Sequence, residues 1–282
     1  MTTPMPTVAP VDLRVHPVDE VLGRVERAFD TRLFPETLVR KRRTVGARTD
    51  RDTWVRIERR PLDKAKGQGW NGTESAAVLD GVAKPVWYQG VSWSDVDGGA
   101  VWRADETELL PGNPVGPGSV LSLPDAWWEA LNASLDALAK HHTTRVATPD
   151  TVAITQTGLT KAIKETFRDV PDTTIGEWSP AHADLNWANV TAPRFCLFDW
   201  EDWGMAPRGL DAAWLWGNSL VFPELAERVL RERKPDLDSR DGKLMSLFFC
   251  TNILGPHADP GDPRRELARI ETDRIVAELQ TD

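Results

Sequence analysis

A dense cluster of proline and glycine divides the chain into two parts that differ in hydrophobic pattern. The cluster is Pro111-Gly-Asn-Pro-Val-Gly-Pro-Gly118, and both residue types interrupt regular secondary structure. Strand-like patterns precede the cluster, and helix-like patterns follow it. We therefore predict a flexible N-terminus over 1–17, a first lobe over 18–110, a linker over 111–118 and a second lobe over 119–282.

The first lobe is predicted to consist mainly of antiparallel strands. In the stretch from Thr53 to Arg59, Trp54, Arg56 and Glu58 alternate with Val55 and Ile57, which is the period of a half-buried strand. The turn at Asp97-Gly-Gly is a strong hairpin signal. The predicted elements are helices over 18–29 and 73–81 and strands over 38–49, 52–60, 84–94 and 99–109.

The second lobe is predicted to be mainly helical. Its first helix starts at Ser122, which supplies a cap before an early proline and an acid. A short apolar strand is expected from Phe195 to Phe198. The predicted helices are 122–140, 160–167, 210–222, 223–232, 244–254 and 263–279. Together the two halves give an α+β chain, with a small antiparallel sheet in the first lobe and a larger helical second lobe.

The charge balance restricts the choice of partners. A net charge of -9 argues against nucleic acid or an anionic membrane surface, because basic surfaces bind those partners. No apolar run approaches the roughly 20 residues of a membrane span. Residues 1–10 lack the basic start and apolar core of a signal peptide. We therefore expect a cytoplasmic protein with no nucleic-acid partner and no membrane partner.

Basic residues are concentrated in one part of the first lobe, and this concentration has two interpretations. It is either the solvated face of a twisted hairpin or a surface that faces phosphate groups. The residues are Arg40, Lys41, Arg42, Arg43, Arg48, Arg51, Arg56, Arg59 and Arg60.

A glycine motif in the first lobe raises an alternative fold. Gly67-Gln-Gly-Trp-Asn-Gly72 matches G-x-G-x-x-G, and Asp95 follows at roughly the distance of a ribose-binding acid. However, the preceding strand carries several charges, whereas a parallel strand buried on both faces is apolar. No further β-α-β units follow. A flexible glycine-rich connector is therefore the favoured interpretation over a dinucleotide-binding site.

The clearest chemical signal lies in the second lobe. His182-Ala-Asp-Leu-Asn-Trp-Ala-Asn189 fits H-x-D-x-x-x-x-N, and Asp199 ends the apolar run that follows it. Phosphoryl transfer to an alcohol needs one carboxylate against the attacking hydroxyl, and an amide oxygen and a second carboxylate for Mg²⁺. Asp184, Asn189 and Asp199 match these roles in chain order. Loop aspartates and asparagines also form turns and caps, but the joint pattern favours the chemical role. His182 is expected to hold the loop by hydrogen bonds.

These motifs resemble a known family. The stretch from His182 to Asn189 and Phe198-Asp-Trp-Glu201 look like the catalytic and metal-binding loops of the aminoglycoside phosphotransferase/choline kinase-like family. The resemblance implies a two-lobed protein-kinase-like fold, with ATP and Mg²⁺ as cofactors. It also implies that Asp184 is the catalytic base and that Asn189 and Asp199 bind Mg²⁺. By position, Asp211 resembles the family's buried acid that anchors the catalytic loop.

The first lobe departs from the family pattern. The family places a lysine on the third strand, where it binds the α- and β-phosphates and pairs with a glutamate on the next helix. Here the strand residue is Arg56, and Glu74 is placed as that glutamate, so both are predicted to bind the cofactor. Arginine can neutralise phosphate, but it is not interchangeable with lysine. Only Gly46 lies where the glycine-rich phosphate loop is expected.

The acceptor is indicated by resemblance alone. The stretch from Asp199 to Ala213 is similar to phosphotransferases of ribosomal-peptide biosynthesis, including that of lanthipeptides, in which a partner lyase eliminates the phosphate from Ser or Thr. This resemblance favours a peptide acceptor, which an exposed Trp-rich surface would also suit, although most of the tryptophan rings are expected to lie in the core. The alternative acceptor is a small molecule such as an aminoglycoside. A pseudokinase that scaffolds a partner is the remaining alternative, favoured by the missing lysine and glycine-rich loop.

Overall fold

In a computed structural model, the described residues are 11–62, 65, 67–95, 99–116 and 123–281, with the side chain of Asp150 excepted. They form two units. The N-terminal unit comprises residues up to 78 together with 84–110, and the C-terminal unit comprises 79–83 and the chain from 111 onwards. Most of the predicted flexible N-terminus, the first two residues of the turn at 97–99 and the end of the predicted linker lie outside the described residues.

The N-terminal unit is built on a five-stranded sheet in the order β1-β2-β3-β5-β4. Every pairing in this sheet is antiparallel. The predicted first strand is divided in two, and the predicted helix over 73–81 is only one α-helical turn followed by a 3₁₀ turn. The elements are α1 (Asp19–Phe29), β1 (Val39–Arg40), β2 (Thr44–Arg48), β3 (Thr53–Pro61), α2 (Gly72–Ser75), β4 (Trp87–Ser94) and β5 (Ala100–Glu108).

The period-two pattern of β3 gives this sheet an apolar face and a polar face. Val55 and Ile57 are buried in a core that α1 completes with Val25 and Phe29. Burial of this apolar surface is the main stabilising contribution. Side chains at the alternate positions of β3, such as Arg56, point to the other face. On that face, charged residues of β3 lie opposite charged residues of β5.

The C-terminal unit is mainly helical and carries two small antiparallel sheets, β6 with β8 and β7 with β9. Helix α5 packs against α8, which also contacts α4 and α9. The elements are β6 (Asn113–Pro114), α3 (Asp125–Leu138), α4 (Gln156–Thr166), β7 (Trp178–Ala181), β8 (Thr191–Ala192), β9 (Gly204–Pro207), α5 (Leu210–Ser219), α6 (Pro223–Glu232), α7 (Lys234–Leu237), α8 (Arg240–Leu254) and α9 (Arg265–Thr281).

Tryptophan rings form much of the core of this unit. Trp127 and Trp128 on α3 pack against Trp187, and Phe195 meets Trp127 edge-on at a centroid distance of 5.1 Å. None of the 13 tryptophans of the chain is exposed. Eight of them are buried, as expected for rings that mostly belong to the core, and the exposed Trp-rich surface that would suit a peptide is not found.

The predicted strand over 195–198 is reduced to a single bridge between Val190 and Leu197. The segment is nevertheless fixed, because Phe198 N donates to Asn189 O at 3.0 Å and Leu197 is fully buried. Within the described ranges, no helix is long and apolar enough to cross a membrane.

Candidate active site

The loop from His182 to Asn189 is anchored by Asp211, which lies in the first turn of α5. Asp211 accepts hydrogen bonds from the backbone N–H groups of His182 at 2.7 Å and of Ala183 at 2.8 Å. Ala183 has a φ of 69°, a left-handed conformation that needs such support in a residue with a side chain. Burial raises the pKa of Asp211 to about 6, against the lowering effect of the two N–H donors.

Close packing at Gly209 fixes the start of α5, the helix that carries Asp211. Gly209 precedes α5 with a φ of 86°. A Cβ on Gly209 would lie 2.7 Å from the Cα of Gly242, at the start of α8. Glycine therefore satisfies both the left-handed backbone and the close approach of the two helix starts.

His182 connects the loop to the segment that carries Asp199. Asp184 N donates to Nδ1 of His182 at 3.3 Å, so the ring proton belongs on Nε2, which lies 3.0 Å from Phe198 O. The ring is fully buried, and burial lowers its pKa to about 4. It also meets Trp200 edge-on at 4.7 Å. A neutral, enclosed imidazole of this kind orients backbone and does not reach solvent.

Two asparagines hold the carboxylate of Asp184. Asn189 Nδ2 donates to Oδ2 at 2.8 Å, and Asn186 Nδ2 donates to Oδ1 at 3.1 Å. Burial raises the pKa of Asp184 to about 6, and the charges of Asp199 and Asp202 add to the rise, while the asparagine hydrogen bonds lower it. A pKa in this range lets the group accept a proton near neutral pH.

Sequence reasoning missed Asn186. Its side chain also caps the 3₁₀ turn Trp187–Asn189, by accepting a hydrogen bond from Ala188 N. The spacing of two residues between Asp184 and Asn186 is the only signal that could have identified it.

Asn189 and Asp199 present oxygen atoms suited to a hard cation. Asn189 directs its amide nitrogen to Asp184, at both Oδ2 and the backbone O, which leaves its Oδ1 as an acceptor. Asp199 is exposed and has a φ of 68°. Among the described residues, no group of three or more His, Cys, Asp or Glu side chains is arranged around a metal position. The oxygen donors of Asn189 and Asp199 fit Mg²⁺, which takes few protein ligands and completes its shell with water and phosphate oxygens.

In the N-terminal unit, Arg56 and Glu74, which were expected to pair, each form an ion pair with another residue. Glu74 forms its ion pair with Arg103 on β5, at 2.9 Å. Arg56 pairs with Glu58 at 3.2 Å, and Glu58 also accepts from Arg60 at 2.5 Å. The sequence could not show this, because the pairing depends on the register of β3 and β5.

Arg103 is the cation at the centre of this polar face. It is 9% exposed, and its Nη2 donates to Asp105 at 2.6 Å. Burial alone would lower its pKa, but the neighbouring Asp105 and Glu74 carboxylates outweigh that effect and the pKa is raised. Arg103 therefore stays charged and fixes both carboxylates.

Most of the basic residues that are concentrated in this part of the chain form ion pairs with neighbouring carboxylates. These ion pairs occupy the charges that a phosphate would need. The exposed Lys41, Arg42 and Arg43 lie between β1 and β2. The paired residues are Arg48 with Asp52, Arg51 with Glu106, Arg59 with Asp95, and both Arg56 and Arg60 with Glu58.

The glycine motif of the N-terminal unit does not form a dinucleotide site. Residues Gln68–Asn71 form a 3₁₀ turn that leads into α2. The preceding strand, β3, is antiparallel to both of its neighbours, whereas the dinucleotide motif requires a parallel β-α-β unit.

Comparison with known proteins identifies the fold. No protein-family model and no curated protein sequence matches the chain. Among solved structures, the aminoglycoside phosphotransferase APH(4)-Ia matches with a TM-score of 0.59 and 10% identity, over 93% of this chain and 99% of that chain. The chain has the protein-kinase-like fold. The expected fold class, α+β with a small antiparallel sheet and a larger helical part, is confirmed.

Two further solved structures are similar to the chain in fold. A choline/ethanolamine kinase family protein from Mesorhizobium loti matches with a TM-score of 0.57 and 15% identity, over 94% of this chain and 99% of that chain. The GDP complex of wild-type aminoglycoside 2'-phosphotransferase-IIIa matches with a TM-score of 0.56 and 15% identity, over 92% and 98%. At these identities the likeness concerns the fold, and the function of this chain has to be argued from its own site.

Proposed function

We propose that the protein is a Mg²⁺-dependent phosphotransferase that moves the γ-phosphoryl group of ATP to a hydroxyl group of a small molecule. The observation that carries this proposal is the contact set around Asp184. Its carboxylate is oriented by Asn186 and Asn189, and its pKa is raised to about 6 by burial. This is the arrangement expected of a group that positions a hydroxyl and accepts its proton.

The other candidate residues of each unit have their own roles in this proposal. Asn189 Oδ1 and the Asp199 carboxylate would hold Mg²⁺, which neutralises charge on the β- and γ-phosphates when it is bound. His182 is a positioning residue, since its ring is buried and bonded to Phe198 O. In the N-terminal unit, Arg56 is the candidate for the nucleotide phosphates, because its side chain is one-third exposed. Glu74 would act indirectly, through Arg103.

A small-molecule acceptor is favoured over a peptide. The structural relatives include complexes with hygromycin B, kanamycin and streptomycin, and a choline/ethanolamine kinase family protein. None of the 13 tryptophans is exposed for a peptide to bind, and neither a peptide acceptor nor a partner lyase gains support from the relatives. A cationic amino-alcohol also suits a chain with a net charge of -9.

A noncatalytic scaffold is the second candidate. It is favoured by one observation, which is that Arg56 already forms an ion pair with Glu58. A residue neutralised in this way binds phosphate less strongly than an unpaired one. The two candidates differ in whether a phosphoryl group is transferred.

The test is an acceptor screen with Mg²⁺ and ATP, read by mass spectrometry as the gain of one phosphoryl group. The screen contains aminoglycosides, choline, ethanolamine and Ser/Thr peptides, with GTP as a second donor. We expect phosphorylation of a small amino-alcohol. Nucleotide binding without transfer to any acceptor would favour the scaffold, and phosphorylation of peptides alone would overturn the acceptor class proposed here.

A further inference from the structure

Residues 145–148, in the connection between α3 and α4, run alongside β9; we call this segment the brace. Met205 N donates to Arg145 O at 2.8 Å, and Ala147 N donates to Met205 O at 3.0 Å. Gly204 makes this approach possible, because a Cβ there would lie 2.6 Å from Ala147 N. The brace therefore pairs with β9 as a third, strand-like segment of the small β7–β9 sheet.

Two side chains of the brace hold Asp202 and Trp203, three and four residues after Asp199. Thr148 Oγ1 donates to Asp202 Oδ1 at 2.6 Å, and Thr148 N donates to Asp202 O at 3.0 Å. Arg145 Nε donates to Trp203 O at 3.1 Å, and its guanidinium lies 5.0 Å from the centroid of the Trp203 ring. The segment is thus fixed through both its backbone and its side chains.

Asp199 needs support on both sides. Its φ of 68° is less favourable than a right-handed or extended backbone, although aspartate tolerates the left-handed region better than most residues with a side chain. On the N-terminal side, the support comes from Phe198, whose N bonds to Asn189 O at 3.0 Å and whose O lies 3.0 Å from His182 Nε2. On the C-terminal side, the support for the backbone of Asp199 comes from the brace.

We propose that Thr148 is a positioning residue for the metal-binding carboxylate. By holding Asp202, it keeps Asp199 in the left-handed conformation, with its carboxylate directed for Mg²⁺. This inference rests on the proposed function in one respect, which is the identity of Asp199 as a metal ligand. The hydroxyl of Thr148 is the group that the test removes, since it donates to the Asp202 carboxylate.

The test compares three variants with the wild type. Thr148→Val keeps the shape and removes the hydroxyl, and Thr148→Ser keeps the hydroxyl. Thr155→Val is the matched control, because Thr155 Oγ1 also makes one hydrogen bond, to Gly158 N at the start of α4, away from residues 199–205. The first measurement is amide hydrogen exchange over 199–205 in the metal-free protein. The second is the affinity for Mn²⁺ with a nonhydrolysable ATP analogue, measured by electron paramagnetic resonance.

We expect Thr148→Val to speed exchange over 199–205 and to weaken Mn²⁺ binding, each by about tenfold, as loss of a hydrogen bond to a charged group implies. Thr148→Ser should restore both quantities, and Thr155→Val should change neither. Unchanged exchange and affinity in Thr148→Val, or the same effects from Thr155→Val, would overturn the inference. If the wild type binds no Mn²⁺ with nucleotide, the proposed function fails and the claim about the metal fails with it, whereas the exchange measurement still decides whether the brace holds the segment.

Discussion

Replacing His182 by glutamine should change how the stability of the C-terminal unit depends on pH. The ring is fully buried, and burial lowers its pKa to about 4, against about 6.5 in an unfolded chain. As the pH falls below about 6.5, the unfolded chain takes up a proton that the folded chain does not accept until about pH 4. The folded state therefore loses stability across that window.

The size of the loss in stability follows from the difference between the pKa of His182 in the folded and in the unfolded chain. Each pKa unit corresponds to about 1.4 kcal/mol, so the His182 contribution falls by about 3 kcal/mol between pH 7 and pH 4. Glutamine can donate to Phe198 O in place of Nε2 but does not titrate. The stability of the wild type relative to His182→Gln should therefore fall by about 3 kcal/mol over this range. Asp211 acts in the opposite direction, because burial raises its pKa to about 6, but both proteins share that contribution.

The assay is urea unfolding, followed by tryptophan fluorescence, at several pH values from about 7 to about 4. The exposed His142 supplies a matched control, and His142→Gln should leave the pH dependence unchanged. A constant difference in free energy of unfolding between the wild type and His182→Gln at all pH values would refute the reasoning, since it would mean that the ring takes up its proton at the same pH in the folded and the unfolded chain.

Three further predictions concern the surroundings of the loop. Asp211→Ala leaves the N–H groups of His182 and Ala183 without their acceptor, and it should lower the free energy of unfolding by about 2 to 4 kcal/mol in urea titrations. Gly209→Ala should cost at least about 1 kcal/mol in the same assay, because of its positive φ and close packing. Asn186→Ala should lower kcat by about tenfold with little change in the KM for ATP, measured by steady-state kinetics, because it removes one donor to the Asp184 carboxylate.

Local patterns in the sequence predicted the parts of the fold that depend on neighbouring residues. The alternation around Val55 and Ile57 gave β3 and its buried face, and the apolar spacing around Phe29 gave α1. The loop from His182 to Asn189 could be located because all its polar groups lie within one short stretch. The helix over 223–232 was predicted at the bounds that the structure has.

The contacts between distant parts of the chain could not be predicted. The pairing of Glu74 with Arg103 depends on where α2 sits against β5, and no spacing in the sequence encodes it. The bond from Thr148 to Asp202 joins residues 54 positions apart. The strand over 195–198 was overpredicted because an apolar run indicates burial, and here the buried segment makes only a single bridge.

The central claim is that Asp184 promotes transfer of a phosphoryl group, and Asp184→Asn tests it most directly. The amide keeps the size of the side chain and removes the charge that accepts the proton. The measurement is phosphoryl transfer from Mg²⁺–ATP to the best acceptor, alongside nucleotide affinity by calorimetry. We predict that kcat falls by at least about a hundredfold, while the nucleotide Kd changes little. Equal transfer by the wild type and Asp184→Asn would contradict the account.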